Sequence, residues 1–138
     1  MIILRPVALC LDEPALRQAI PEELVALAAR EQPWTSYVAW QERTAVGACA
    51  FKGGPDSLRQ VEIAYLTFPG HTNKGVATQM ACLLVTMARE SLQVDRVIAH
   101  TLREMSPSIR VCCKAGFLRD SDVDDPEDGP VRRWVQIV

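Results

Sequence analysis

Apolar positions recur at two spacings along this chain, and the spacing changes near its middle. Up to residue 67 they fall mostly in short runs bounded by Pro, Gly and charged residues, which read as strands. Ile2–Arg5 opens the chain as a short strand. Ser36–Gln41 and Ala45–Lys52 flank the polar turn Glu42-Arg43-Thr44 and read as a hairpin. The turn Gly53-Gly54-Pro55-Asp56 then leads to a third meander strand, Gln60–Thr67. Two helices precede the hairpin. Asp12 is the expected N-cap of the first, with Glu13 and Pro14 in its first turn and a break near Pro21. Glu22–Arg30 is rich in helix formers, with Leu24, Leu27 and Ala28 on one stripe, and Pro33 ends it.

Beyond residue 75 the helical period takes over. Gly75–Ser91 carries Val76, Met80, Leu83 and Met87 at helical spacing, widened by Ala77, Ala81, Leu84 and Ala88, as in a helix packed on a sheet. Val94–Leu102 is a strand. Ser106-Pro107 is an N-cap with proline at N1, and Gly116 takes the C′ position of the helix between them. A strand from Phe117, an acidic loop and a closing strand Val131–Val138 complete the pattern. A strand meander followed by strand–helix–strand units predicts one α/β (α+β) sheet with helices on its faces. No repeat, linker or low-complexity tract divides it, so residues 1–138 are expected to form a single domain.

At 138 residues the chain is long enough to bury a core, and a formal net charge of −2 gives no footprint for nucleic acid. Cys10, Cys49, Cys82, Cys112 and Cys113 are an odd set without a CxxC pair, arguing against a disulfide framework and a zinc site. Arg5, Pro6 and Asp12 interrupt the apolar N-terminus, so no signal segment is expected. No run approaches the roughly 18 apolar residues that span a bilayer. Reduced thiols in a soluble cytoplasmic protein, with no membrane partner, are the expectation.

One segment carries chemistry. Pro69–Thr78, PGHTNKGVAT, is a turn-rich loop opening into a helix, where backbone N–H groups and the helix dipole favour an anion. It is not a Walker loop, because Lys74 precedes its glycine and no G-K-[ST] follows. The acidic stretch DSDVDDPEDG lacks the glycine and glutamate of an EF-hand and reads as a solvated turn; no metal is expected. Trp34, Tyr37, Trp40 and Trp134 either line a cleft or fill the core.

Together, VEIAYLTFPGHTNKGVATQM and SPSIRVCCKAGF resemble the GNAT N-acetyltransferase superfamily. Its protein-N-terminus and small-amine branch shares an EIGY-type strand, a P-x-x-R-G-x-G-x-A loop and an N-x-x-S-x-R helix ending in G-F. The similarity runs from Ser36 to Trp134. It implies a mixed, mostly antiparallel, splayed β-sheet flanked by helices on both faces, with acetyl-CoA as cofactor and its pantetheine gripped between two diverging strands. It implies direct acetyl transfer to a primary amine of a small molecule or a protein N-terminus. Homodimers are common in the family, but no residue pattern here decides that point.

The resemblance assigns the pyrophosphate to Thr72, Asn73, Lys74, Gly75, Val76 and Ala77, with Thr78 as a hydroxyl donor. Thr72 stands where Arg or Gln is usual, and Asn73 where glycine is common. The oxyanion donor is expected from the backbone near Leu66, Thr67 and Phe68. An amine near pKa 10.4 must lose a proton before attack, so a base is needed. Glu62 is the first candidate; His100, Glu104 and water are others, and a salt bridge to Arg59 or Arg96 explains Glu62 equally well. Cys112 matches the family's tyrosine acid and is a candidate acid, or else a small buried thiol. Met105 replaces the family's asparagine. With these departures, a CoA-binding or interaction domain of the same fold without turnover is the alternative function. A purely structural domain is a third.

Overall fold

The computed structural model describes residues 1–102, 107–126 and 129–138. Strands β1 (Ile2–Pro6), β2 (Ser36–Gln41), β3 (Thr44–Phe51), β4 (Gln60–Thr67), β5 (Arg96–Leu102), β6 (Leu118–Asp125) and β7 (Gly129–Ile137) form one seven-stranded sheet ordered β1-β2-β3-β4-β5-β7-β6. Every neighbouring pair is antiparallel except β4–β5, which is parallel. Helices α1 (Pro14–Ala19), α2 (Glu22–Leu27), α3 (Val76–Ser91) and α4 (Pro107–Lys114) cover its faces.

Two apolar clusters sandwich the sheet. On one side Val76, Met80, Ala81, Leu84, Val85 and Ala88 of α3 and Cys112 of α4 pack on Phe51, Val61, Ile63, Val97 and Trp134. Leu83 and Met87 pack half-buried at its margin, so the buried stripe of α3 turns toward Val85. On the other side Val7, Leu16, Ile20 and Leu24 pack on Val38, Ala48, Ala50 and Phe68. Period-two alternation in β3 and β4 sends Phe51, Ile63 and Tyr65 to the first cluster and Ala48, Ala50 and Glu62 to the opposite face.

Of the boundaries that differ from the sequence reading, three have a visible cause. Helix α1 starts at Pro14, with Glu13 at the cap position, no side-chain cap bond, and a 3-10 turn over Val7–Leu9 before it. Asp12 caps nothing there; the N1 proline sets the start. Helix α2 stops at Leu27 rather than Arg30, because β2 begins by using its end: Ser36 Oγ donates to Leu24 O at 2.6 Å and Thr35 Oγ1 to Leu27 O at 2.9 Å. Most of the acidic loop is strand β6, whose carboxylates face arginines across the hairpin, such as Asp122 and Arg132 at 3.3 Å. Gly116, at φ 93°, ends α4 as expected. Ser106, with the candidates Glu104 and Met105, lies outside the described residues, as do Glu127 and Asp128. No helix among the described residues is long and apolar enough to cross a membrane.

Strands β4 and β5 pair only through Gln60↔Arg96, Val61↔Val97 and Glu62↔Ile98. Beyond Glu62, β4 stays with β3 as far as Thr67, and β5 stays with β7 as far as Leu102. The sheet therefore splits into a wedge whose apex is Glu62.

Candidate active site

The wedge exposes backbone. In the β3–β4 ladder Lys52 N–H bonds Glu62 O at 2.8 Å and Phe68 N–H bonds Val46 O at 2.9 Å. Antiparallel alternation then turns Leu66 toward β3 as well, and turns Tyr65 and Thr67 toward the gap left by β5. Of the three residues expected to supply the oxyanion donor, Thr67 is the one whose N–H faces the wedge. Phe68 has none to offer: its N–H is spent on Val46, its carbonyl accepts from His71 N–H at 3.1 Å, and its ring is buried on the α1–α2 side. Leu66 keeps only a half-exposed side chain there.

From the wedge a cavity of about 470 Å³ extends along the start of α3. Thr67, the loop residues Thr72, Asn73 and Gly75, and Val76, Ala77 and Thr78 of the first helical turn line one wall. Asn73 and Gly75 both adopt left-handed backbone, φ 61° and 79°, which swings the chain into the helix; Asn tolerates this conformation, and Gly adopts it without strain. Gln79 N–H is the first to find a helical acceptor, at Gly75 O. The N–H groups of Val76, Ala77 and Thr78 precede it and are the orphan donors of the turn. Lys74 is exposed and does not line the cavity. The opposite wall is α4, with Pro107, Arg110, Val111 and Lys114. Arg110 and Lys114 went unassigned in the sequence reading; their i,i+4 spacing, which places both on one helix face, was the available signal.

At the apex, on the face opposite α3, lies a cluster of charged groups. Glu62 Oε2 is 3.0 Å from His100 Nδ1 and 3.4 Å from Lys52 Nζ. Lys52 Nζ also reaches Glu23 Oε1 of α2 at 3.4 Å. Arg133, opposite His100 in the β5–β7 ladder, donates from Nη2 to Gln60 Oε1 at 2.9 Å and holds its Nε 3.2 Å from Asp120 Oδ2. Partial burial would lower the Lys52 ammonium, but the carboxylates of Glu62 and Glu23 outweigh it and hold its pKa above the ordinary lysine value. The two candidate bases, separate in the sequence reading, are thus in contact. Neither expected partner, Arg59 or Arg96, pairs with Glu62 among the described residues; Arg59 pairs instead with Asp95 at 3.1 Å.

Cys112 is buried beneath this level, on the α3–α4 side. Its Sγ is 3.5 Å from Tyr65 Oη, which also donates to Ser108 O at 3.4 Å. Burial pushes both pKa values up, so thiol and phenol stay protonated. The thiol, 1% exposed, does not line the cavity. Of the four aromatics, Tyr37 and Trp134 are buried and Trp34 packs edge-on to Phe51.

Solved structures share this arrangement of strands. The aminoglycoside acetyltransferase AAC(6')-Ib in complex with coenzyme A and kanamycin superposes with TM-score 0.77 at 20% identity, over 99% of this chain and 95% of that one. The same acetyltransferase with coenzyme A matches at TM-score 0.67 and 24% identity, over 75% of this chain and 65% of that one. An acetyltransferase (GNAT family) from Bacillus anthracis matches at TM-score 0.66 and 21% identity, over 74% and 65%. In those last two the chain spans 65% of its neighbour's length. No curated protein matches the chain by sequence. The family model described as acetyltransferase (GNAT) domain matches residues 10–118, a span that includes the wedge apex, the loop into α3 and all of α4. With most of its length under that model and its strands in that fold, this chain belongs to the GNAT acetyltransferase family.

Proposed function

We propose that residues 1–138 form a single acetyl-CoA-dependent N-acetyltransferase domain, which moves an acetyl group directly to a primary amine of a small molecule or protein N-terminus. The observation that carries this reading is the meeting, at one point of the sheet, of a wedge, an anion-suited cavity and a carboxylate–imidazole pair. The donor set suits coenzyme A: three orphan N–H groups at a helix N-terminus and two cations on the facing helix match its phosphates. When bound, acetyl-CoA supplies the acetyl group as a thioester with a thiol leaving group.

The residues of the chain do the rest. Val76, Ala77 and Thr78 N–H with the Thr72 and Thr78 hydroxyls hold phosphate, and Arg110 and Lys114 neutralise it. Leu66 and Thr67 border the pantetheine path, and Thr67 N–H donates to the carbonyl oxygen as charge develops on it. Glu62 and His100 receive the proton that the ammonium must lose. Cys112, shut away under Tyr65, serves packing in this scheme, and the departing thiolate takes its proton from solvent. An amine acceptor is the reading that one neighbour supports: an aminoglycoside acetyltransferase solved with kanamycin, an amine-bearing ligand. Titration calorimetry with acetyl-CoA tests the first step. Saturable one-to-one binding is expected; absence of heat at millimolar ligand contradicts the reading. Binding without acceptor-dependent thiol release leaves the chain a CoA-binding domain, the reading that the loss of a cation at Thr72 favours.

A further inference from the structure

We propose that Nε2 of His100 is the atom that takes the proton and that Glu62 acts through it as a positioning residue. This assignment rests on the amine-acetylation reading and names its base. A proton arriving at the engaged oxygen of Glu62 would have to displace the groups that oxygen already holds. Here Oε2 of Glu62 is shared between His100 Nδ1 at 3.0 Å and Lys52 Nζ at 3.4 Å. Lys52 cannot swing away without cost, because Glu23 holds it from α2 at 3.4 Å.

The same contact prepares the imidazole. A carboxylate facing Nδ1 puts the ring proton there and leaves the lone pair on Nε2. Among the described residues Nε2 has no hydrogen-bond partner, and the side chain is 25% exposed, just past the wedge apex. Among the described residues, the ring meets Glu62 on β4 and lies opposite Arg133 on β7, while Lys52 after β3 and Glu23 on α2 extend from Glu62, and Asp120 on β6 from Arg133. The step balances: the ammonium N–H bond breaks, its electron pair stays on nitrogen, and the proton binds Nε2. The ring returns that proton to water from its exposed edge.

Nitrogen-15 NMR of the imidazole, run beside pH–rate profiles with an alanyl peptide, a polyamine and an aminoglycoside, tests this. Expected are an Nδ1–H neutral tautomer in the wild type and a mixed tautomer in Glu62→Gln. His100→Gln is expected to lower kcat about 100-fold and erase the acidic limb of the profile, with the KM for acetyl-CoA unchanged. Glu62→Gln is expected to cost about 10-fold and to move that limb rather than erase it. A neutral ring protonated on Nε2 overturns the proposal, as does a His100→Gln variant within threefold of wild-type kcat. A wild type that acetylates none of the three amines fails the amine reading and the base with it; an active wild type indifferent to His100→Gln fails the base alone.

Discussion

Thr72 stands where the family's loop pattern has arginine or glutamine, yet the cavity it borders does not lack positive charge. Arg110 and Lys114 bring it from α4, on the opposite wall, four residues apart on one helix face. If they neutralise phosphate in place of the loop cation, Arg110→Ala and Lys114→Ala should each weaken acetyl-CoA about 10-fold, as loss of one charge-assisted contact does. Salt titrations by calorimetry check the cause: each variant should show a shallower salt dependence than the wild type, and an unchanged slope would remove these cations from the site. At this scale the sequence was informative about single residues and silent about pairs. Glu62 and His100 both stood out as ionisable groups on apolar strands. Their contact did not, because it depends on β4 and β5 being parallel neighbours in a register no local pattern reveals. Lys52 was missed as a partner for the same reason, while Arg59, nearer in sequence, turned out to serve Asp95.

Elements whose burial pattern is periodic were legible; those shaped by a neighbour were not. The stripe on α3 announced itself, as did the hairpin of β2 and β3. The acidic stretch did not read as a strand, since aspartate is disfavoured in sheets and only the arginines of β7 opposite it make β6 comprehensible. Helix α2 was drawn too long because its end is set by two hydroxyls that lie beyond it in sequence. That arrangement matters for the site, since α2 carries Glu23 toward Lys52. Ser36→Ala leaves Leu24 O without its buried donor and should cost about 1–3 kcal/mol, measured by urea unfolding. A cost below about 0.3 kcal/mol would mean that packing alone ends the helix.

Across the whole molecule, the proposed function rests on a switch in strand pairing. Strand β4 pairs with β5 only from Gln60 to Glu62 and with β3 from Ile63 to Thr67, so the sheet stays continuous at one end and parts at the other. The loop into α3 opens on one side of this wedge and the Glu62–His100 pair on the other, and the proposed transfer has thioester and amine approach from those two faces. The mixed sheet with helices on both faces was foreseeable from the order of elements and the family motifs. The insertion of β7 between β5 and β6 was not, because hairpin order and sheet order differ there and no turn residue marks it. The central claim is that this wedge delivers acetyl groups to amines. Its most direct test is thiol release from acetyl-CoA by the intact chain across a panel of primary amines and N-terminal peptides. The account predicts at least one acceptor that raises release well above background hydrolysis and appears as its acetamide by mass spectrometry. Saturable acetyl-CoA binding with no acceptor raising release above background would contradict it.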